Sequence, residues 1–131
     1  MKLLLDTHIW IWALLDPERL SPAVRAALQS PDNELWLSPI SVWEALLLAE
    51  RGRLSVSASP VEWVEQMVRK LPRREAALTH DIAVASRQLR LSHQDPADRF
   101  LAATARVLGL TLVTSDERLL DSTEFAVMPN A

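Results

Sequence analysis

Short apolar runs alternate with longer stretches of helical character along the chain, and this alternation predicts strands separated by helices. Leu3-Leu4-Leu5 is a continuous apolar run typical of a buried strand. Thr7 is the expected N-cap of a helix that includes the apolar residues 9–15 and that Asp16-Pro17 ends. Further short strands are predicted at residues 35–37, 74–78, 110–113 and 125–128.

Several helix starts are marked by a capping residue followed by proline, a pair that favours the first turn of a helix. The pairs are Ser21-Pro22, Ser38-Pro39, Ser59-Pro60 and Asp95-Pro96. Gly109 ends the last of these helices, and another helix is predicted at residues 81–91. The order of elements predicts an α/β fold, a three-layer α/β/α sandwich around a mostly parallel sheet of four or five short strands. Residues 1–131 are expected to form a single domain.

Composition excludes several classes of function. The chain contains no cysteine, which excludes disulfides, thiolate zinc sites and iron–sulfur clusters, and only two glycines, which excludes a P-loop or a dinucleotide-binding glycine motif. The longest apolar run, residues 9–15, is far shorter than the ~20 residues of a membrane span. Asp6 follows the first apolar run too early for a signal peptide. We therefore expect a cytoplasmic protein with no membrane partner.

Four acidic residues interrupt apolar patterns. Asp6 and Asp116 follow predicted strands, and the carboxyl ends of parallel strands form the edge at which α/β proteins bind ligands. Glu44 shares a helical stripe with apolar residues, and so does Asp98. Both lie in the early turns of their helices, which face the same edge. We expect the four carboxylates to meet there.

Each acid also has a structural alternative. Ser41-Val42-Trp43-Glu44 matches a capping box, in which Glu44 would satisfy its own helix end. Asp98 would complement a helix dipole, and Asp6 and Asp116 would be turn or N-cap residues. Four purely structural acids have no reason to share one edge, which favours a common function.

Carboxylates placed close together must bind protons or a cation. An all-oxygen site without cysteine or clustered histidine suits Mg²⁺ or Mn²⁺, and such ions promote phosphodiester hydrolysis by activating water and stabilising the leaving oxygen. If bound metal neutralised the four acids, the net charge of −3 would become slightly positive. Of the 14 basic residues, 12 are arginine, whose planar side chain is well suited to binding phosphate. The candidate phosphate contacts are Arg51, Arg53 and the basic residues within 69–74.

The acidic motifs together resemble those of PIN-domain ribonucleases, specifically the VapC-type toxins of type II toxin–antitoxin systems. The motifs are Leu3-Leu4-Leu5-Asp6-Thr7-His8, Ser41-Val42-Trp43-Glu44, residues 95–105 and Leu112-Val113-Thr114-Ser115-Asp116. They cover essentially the whole chain in order. The resemblance implies a Mg²⁺- or Mn²⁺-dependent endoribonuclease that acts on RNA. It also implies a homodimer and a cognate antitoxin whose tail enters the acidic groove.

The resemblance also implies roles for individual residues. Asp6 and Asp98 correspond to the core metal ligands, and Glu44 to a ligand or a residue that orients one. Asp116 corresponds to the fourth acid of the site, and Thr114 or Ser115 would hold its side chain in position. Asp95 is a second candidate in the third motif, and we prefer Asp98 because it precedes the Leu-Ala-Ala stripe at the family's spacing, which leaves Asp95 as the N-cap.

Other functions are weighed against the nuclease. The alternative from a different class is a catalytically silent module of the same fold that holds a basic partner peptide in its acidic groove. Two classes of phosphoaspartyl enzyme are disfavoured. One class needs a second acid at the position of His8, and the other needs a lysine late in the chain, whereas the only lysines are Lys2 and Lys70. His8 and His93 flank the acidic motifs, where we expect ordinary hydrogen-bonded histidines.

Overall fold

The computed structural model describes residues 1–54, 59–71, 73–92 and 94–131, and five strands and seven α-helices form in this part of the chain. The strands are β1 (Lys2–Leu5), β2 (Glu34–Leu37), β3 (Arg74–Glu75), β4 (Thr111–Thr114) and β5 (Ala126–Pro129). The helices are α1 (Thr7–Leu15), α2 (Pro22–Gln29), α3 (Pro39–Glu50), α4 (Pro60–Lys70), α5 (His80–Gln88), α6 (Pro96–Leu108) and α7 (Glu117–Leu120). A 3₁₀ turn at Pro17–Arg19 links α1 to α2.

The strands form one sheet in the order β3-β2-β1-β4-β5. Every pair of neighbouring strands among the described residues is parallel, and Leu4 of β1 pairs with Trp36 on one side and with Leu112 on the other. Since the chain progresses outward from β1 first to one side and then to the other, the strand order reverses at β1 and β4. The carboxyl ends of these two strands therefore border the crevice in which ligands bind in open α/β sheets.

Helices cover both faces of this sheet because its central strand is apolar on both sides. Leu3 and Leu5 belong to a core that contains residues of α1 to α4, whereas Leu4 faces a second core formed with α5, α6 and α7. All three leucines are completely buried, and each such burial stabilises the fold by roughly 1.5–3 kcal/mol. The predicted three-layer α/β/α architecture is confirmed.

The predicted helix starts follow the local chemistry. The hydroxyls of Ser21, Ser38 and Ser59 each accept a backbone N–H in the first turn, and proline follows each of them. Gly109 ends α6 with a φ of 66°, the left-handed conformation that favours glycine at this position.

The prediction that Thr7 caps the first helix is wrong. Asp6 is the N-cap, and its side chain accepts the N–H of Thr7, which is already helical. The reason is that a carboxylate at the end of β1 reaches the first free N–H of α1, so the hydroxyl of Thr7 is available for another contact.

Two further predictions were only approximately right. Helix α5 begins at His80, one residue after the cap Thr79, and it ends at Gln88, earlier than the predicted residues 81–91. Strand β3 contains only Arg74 and Glu75, so it is shorter than the predicted strand at residues 74–78.

Helix α7 has no counterpart among the predicted elements, because its single turn is too short to show a periodic pattern.

No helix in the described part of the chain combines the length and the apolar character needed to cross a bilayer.

Candidate active site

The candidate site lies at the carboxyl edge of the sheet, where β1 and β4 lie side by side. Asp6 directly follows β1, and Asp116 lies two residues after the end of β4. Glu44 on α3 and Asp98 on α6 approach the same edge from opposite layers of the sandwich. The charges of Asp6 and Asp98 both raise the pKa of Glu44, and that of Asp116 raises the pKa of Asp6. The structure thus brings the four predicted acids together.

Asp6 is held firmly from two sides. The residue is only 8% exposed, with Oδ1 accepting the N–H of Thr7 at 2.7 Å and Oδ2 accepting the hydroxyl of Thr114 at 2.6 Å. Burial raises the pKa of Asp6 above its ordinary value, and the two hydrogen bonds and the nearby His8 only partly oppose this rise. The carboxylate is therefore fixed in position and lies where a positive charge would stabilise its ionised form.

Thr114 connects Asp6 with the last acidic residue. The same oxygen that donates to Asp6 also accepts the backbone N–H of Asp116 at 3.0 Å, and the side chain is completely buried. Ser115, the other residue predicted to steady Asp116, is exposed. The contact with Asp116 thus comes from Thr114.

Glu44 is oriented by Thr7, whose hydroxyl donates to Oε1 at 2.5 Å and also lies 3.0 Å from the hydroxyl of Ser41. Burial raises the pKa of Glu44 to about 7, and the charges of Asp6, Asp98 and Asp95 add to the rise, while the bond from Thr7 lowers it. The capping-box alternative for Glu44 is wrong. Helix α3 begins after Ser38, whose hydroxyl caps it by accepting the N–H of Ile40, so Glu44 lies in the second turn.

The two acids of the third motif, Asp95 and Asp98, have different surroundings at the start of α6. Asp95 is the exposed N-cap of α6, and its Oδ1 accepts the N–H of Asp98 at 3.2 Å. Asp98 is buried at 8% exposure in the first turn of the helix. Because the charges of both residues raise the pKa of Glu44, both lie near the site, with Asp98 the more buried of the two. The preference for Asp98 as the ligand stays a prediction.

Asp116 contacts an arginine that the sequence motifs did not include. Asp116 caps α7 by accepting the N–H of Arg118 at 2.9 Å, and its two carboxylate oxygens also accept Nε and Nη2 of Arg118 at 3.1 and 2.8 Å. The same Nη2 lies 3.5 Å from Oδ2 of Asp98. Asp6 and Asp116 are therefore both helix caps, as their structural alternatives required, and both belong to the acidic cluster.

Thr7 and Arg118 are the site residues whose contacts the sequence motifs did not reveal. A signal for Thr7 exists in hindsight, since a hydroxyl directly after a strand-end acid lies at the mouth of the crevice. Arg118 follows an N-cap aspartate by two residues, a spacing that allows its side chain to fold back onto the cap. Neither spacing alone distinguishes a site residue from an ordinary helix terminus.

Other candidates lie elsewhere or outside the described residues. Arg69 and Arg74 form ion pairs with Glu65 at 3.8 Å and with Glu34 at 3.2 Å, and Arg51 and Arg53 are exposed near the carboxyl end of α3. His8 is exposed on α1, and its ring centroid lies 5.7 Å from that of Trp12. His93 lies outside the described residues.

The oxygen donors of this cluster match a hard divalent cation. Within the described ranges, no three acidic or histidine side chains are close enough to share one ion as they stand. A cation does, however, already contact two of the acids, because the guanidinium of Arg118 pairs with Asp116 and approaches Asp98. Carboxylates that raise one another's pKa and that already attract a positive group fit Mg²⁺ or Mn²⁺ chemically.

Comparison with known proteins gives consistent relationships. The PIN domain family matches residues 3–125. Ribonuclease VapC22 of Mycobacterium tuberculosis is 37% identical over 117 residues, which are 88% of this chain and 88% of that protein.

Solved structures resemble the chain over nearly its full length. VapBC2 from Rickettsia felis, bound to a DNA fragment from its promoter, superposes with a TM-score of 0.75 at 15% identity and 98% coverage of both chains. FitAcB from Neisseria gonorrhoeae superposes with a TM-score of 0.69 at 26% identity, covering 98% of this chain and 97% of that one. The fold is thus shared with the chains of these two solved structures.

Proposed function

The chain belongs to the PIN-domain family, and from that premise we propose that it is a metal-dependent endoribonuclease, the toxin component of a toxin–antitoxin pair. The observation that supports this most directly is the meeting of Asp6, Glu44, Asp98 and Asp116 at one edge of the sheet. Similarity to a ribonuclease over most of both chains supports RNA as the substrate.

In this proposal, the four acids would hold Mg²⁺ or Mn²⁺. The ion, when bound, lowers the pKa of a water molecule and stabilises the charge that develops on the phosphate during hydrolysis. Thr114 and Thr7 fix the directions of the Asp6 and Glu44 carboxylates before the ion and the substrate arrive. Without a bound metal, burial raises the pKa of Glu44 to about 7, so near neutral pH this carboxylate is partly protonated until a cation binds.

We also propose partners and a location for the chain. Superposition with VapBC2 and FitAcB supports a cognate antitoxin as a partner, and we infer that its tail enters the acidic groove. We further infer a single domain, a homodimer and a cytoplasmic location. The silent binding module remains the alternative, and no observation favours it.

The test is cleavage of a structured RNA by the purified protein with Mg²⁺ or Mn²⁺, with EDTA, and by the variant Asp6→Asn. Asparagine keeps the shape of the side chain but removes its charge, so the fold should persist. We expect cleavage only with added metal. In the variant we expect a cleavage rate about 10- to 100-fold lower, because the change disturbs the metal site. Arg106→Gln, which alters an exposed arginine paired with Glu124, is the matched control and should cleave normally.

Two results would contradict the proposal. A well-folded wild-type protein that cleaves no RNA in either metal would favour the silent module. Cleavage that persists undiminished in Asp6→Asn would show that the acidic cluster is not the site of hydrolysis.

A further inference from the structure

Arg118 is the positively charged group that contacts the acidic cluster most closely among the described residues. Its Nη2 lies 2.8 Å from Oδ2 of Asp116 and 3.5 Å from Oδ2 of Asp98, and its Nε donates to Oδ1 of Asp116 at 3.1 Å. One guanidinium thus joins α6 and α7 through acids that are proposed metal ligands. The side chain is 54% exposed, so it can leave this position without disturbing the core.

A divalent cation and this guanidinium compete for the same oxygens. Both are positive, and both are attracted to Asp98 and Asp116, so they repel each other at this short range. Arg118 contacts two of the acids, Asp98 and Asp116, and no three of the acidic or histidine side chains described here are close enough to share an ion. Such spacing is expected if the acids close on a metal only after Arg118 has moved.

We propose that Arg118 is the resident counter-ion of the acidic cluster, that a divalent cation enters by displacing its guanidinium from both Asp98 and Asp116, and that the displaced guanidinium then binds a phosphate of the RNA. The main chain of Arg118 is fixed by α7, where its N–H bonds to Asp116, so the released side chain stays within reach of the site. A planar guanidinium donates two parallel hydrogen bonds to phosphate as readily as to carboxylate. This inference rests on the proposed nuclease function.

The first experiment measures Mn²⁺ binding in the absence of RNA by isothermal titration calorimetry. Arg118→Gln removes the competing charge, so it should bind Mn²⁺ about 3- to 5-fold more tightly than the wild type, the equivalent of one partly exposed ion pair. Arg118→Lys keeps a charge without the planar fork and should give an intermediate affinity. Arg106→Gln removes a comparable exposed arginine from the far end of α6 and should bind like the wild type.

Thermal melts in EDTA establish that each variant is folded before the titration, and Arg118→Lys serves if Arg118→Gln does not fold. Mn²⁺ affinity in the folded variants that is equal to or weaker than that of the wild type would overturn the counter-ion role, because no competitor would then have been removed.

The second experiment measures RNA cleavage at saturating Mn²⁺, where competition for the metal no longer matters. Loss of a charged hydrogen-bond donor to phosphate should lower kcat/KM of Arg118→Gln by about 10-fold or more, and lysine should restore part of the loss. An unchanged kcat/KM would overturn the phosphate contact. If the wild type binds Mn²⁺ but cleaves no RNA, the proposed function and the phosphate contact both fail, whereas the titration alone still decides the counter-ion role.

Discussion

The hydroxyl of Thr114 donates to Oδ2 of Asp6 and at the same time accepts the backbone N–H of Asp116, at 2.6 and 3.0 Å. One buried oxygen therefore fixes the acids that follow two adjacent parallel strands, although 108 residues separate Thr114 from Asp6. The pairing of β1 with β4 brings the first and last acidic motifs together, and the Thr114 side chain then links their acids.

Replacing Thr114 by valine tests this link, because valine has nearly the same shape but cannot form either bond. We expect a loss of about 1–3 kcal/mol in the free energy of unfolding, since the N–H of Asp116 and an oxygen of Asp6 lose a partner. We also expect Mn²⁺ affinity to fall by about 10- to 100-fold. Urea unfolding and calorimetry provide the two measurements. Thr114→Ser keeps the hydroxyl and should retain most of the affinity; a loss of affinity in Thr114→Ser with none in Thr114→Val would show that the methyl group matters instead of the hydroxyl.

Arg99 provides a contrasting case, since it neighbours Asp98 in sequence but has a structural role. The side chain is buried, and its Nε and Nη2 donate to the carbonyls of Ser86 and Leu89 at 2.7 and 2.6 Å. These carbonyls end α5, so Arg99 holds α5 against α6. We expect Arg99→Gln to lower the free energy of unfolding by about 1–3 kcal/mol and to leave Mn²⁺ affinity unchanged once the protein is folded. A marked loss of Mn²⁺ affinity in the folded variant would assign Arg99 to the metal site.

Much of the fold is visible in the sequence because its determinants are local. A serine or aspartate followed by proline begins four helices, and Gly109 ends the last of them. The central strand is equally plain, since both faces of β1 are apolar and any register buries leucine. Asp6 and Asp116 were predicted at one edge for a related reason, because parallel strands present their carboxyl ends together.

The remaining features depend on contacts between distant residues. Whether Thr7 caps its helix or holds Glu44 depends on where α3 lies relative to α1, which no local pattern encodes. The contact between Arg118 and Asp98 is likewise not encoded by a local pattern. Arg118 lies on a single helical turn, and its approach to Asp98 depends on the packing of α6 beside α7. The roles of the four acids as metal ligands stay predictions.

The variant Asp98→Asn tests whether these acids repel one another when no metal is bound. Removing the buried charge of Asp98 should raise the melting temperature in EDTA, because the remaining acids of the cluster then repel one another less when no cation is bound. The same change should abolish the stabilisation by Mn²⁺, which for the wild type is about 2.7 kcal/mol at a concentration 100 times Kd. Differential scanning calorimetry with and without Mn²⁺ measures both. A purely structural Asp98 would instead lower the melting temperature and leave the Mn²⁺ effect intact.

The raised pKa of Glu44 predicts a particular dependence of stability on pH. Its ordinary value is 4.5, and burial together with the neighbouring acids raises the pKa to about 7 in the folded protein. Between these values the folded state holds a proton that the unfolded state has released, so without metal this residue's contribution to stability is complete below pH 4.5 and is lost as the pH rises towards 7. Glu44→Gln cannot lose a proton, and it should therefore weaken the decline between pH 4.5 and 7 in urea unfolding experiments carried out in EDTA. Mn²⁺ should stabilise the wild type more at pH 8 than at pH 5, because binding requires the ionised carboxylate. An identical pH profile in the variant and the wild type would show that Glu44 titrates normally and does not share a pocket with the other acids.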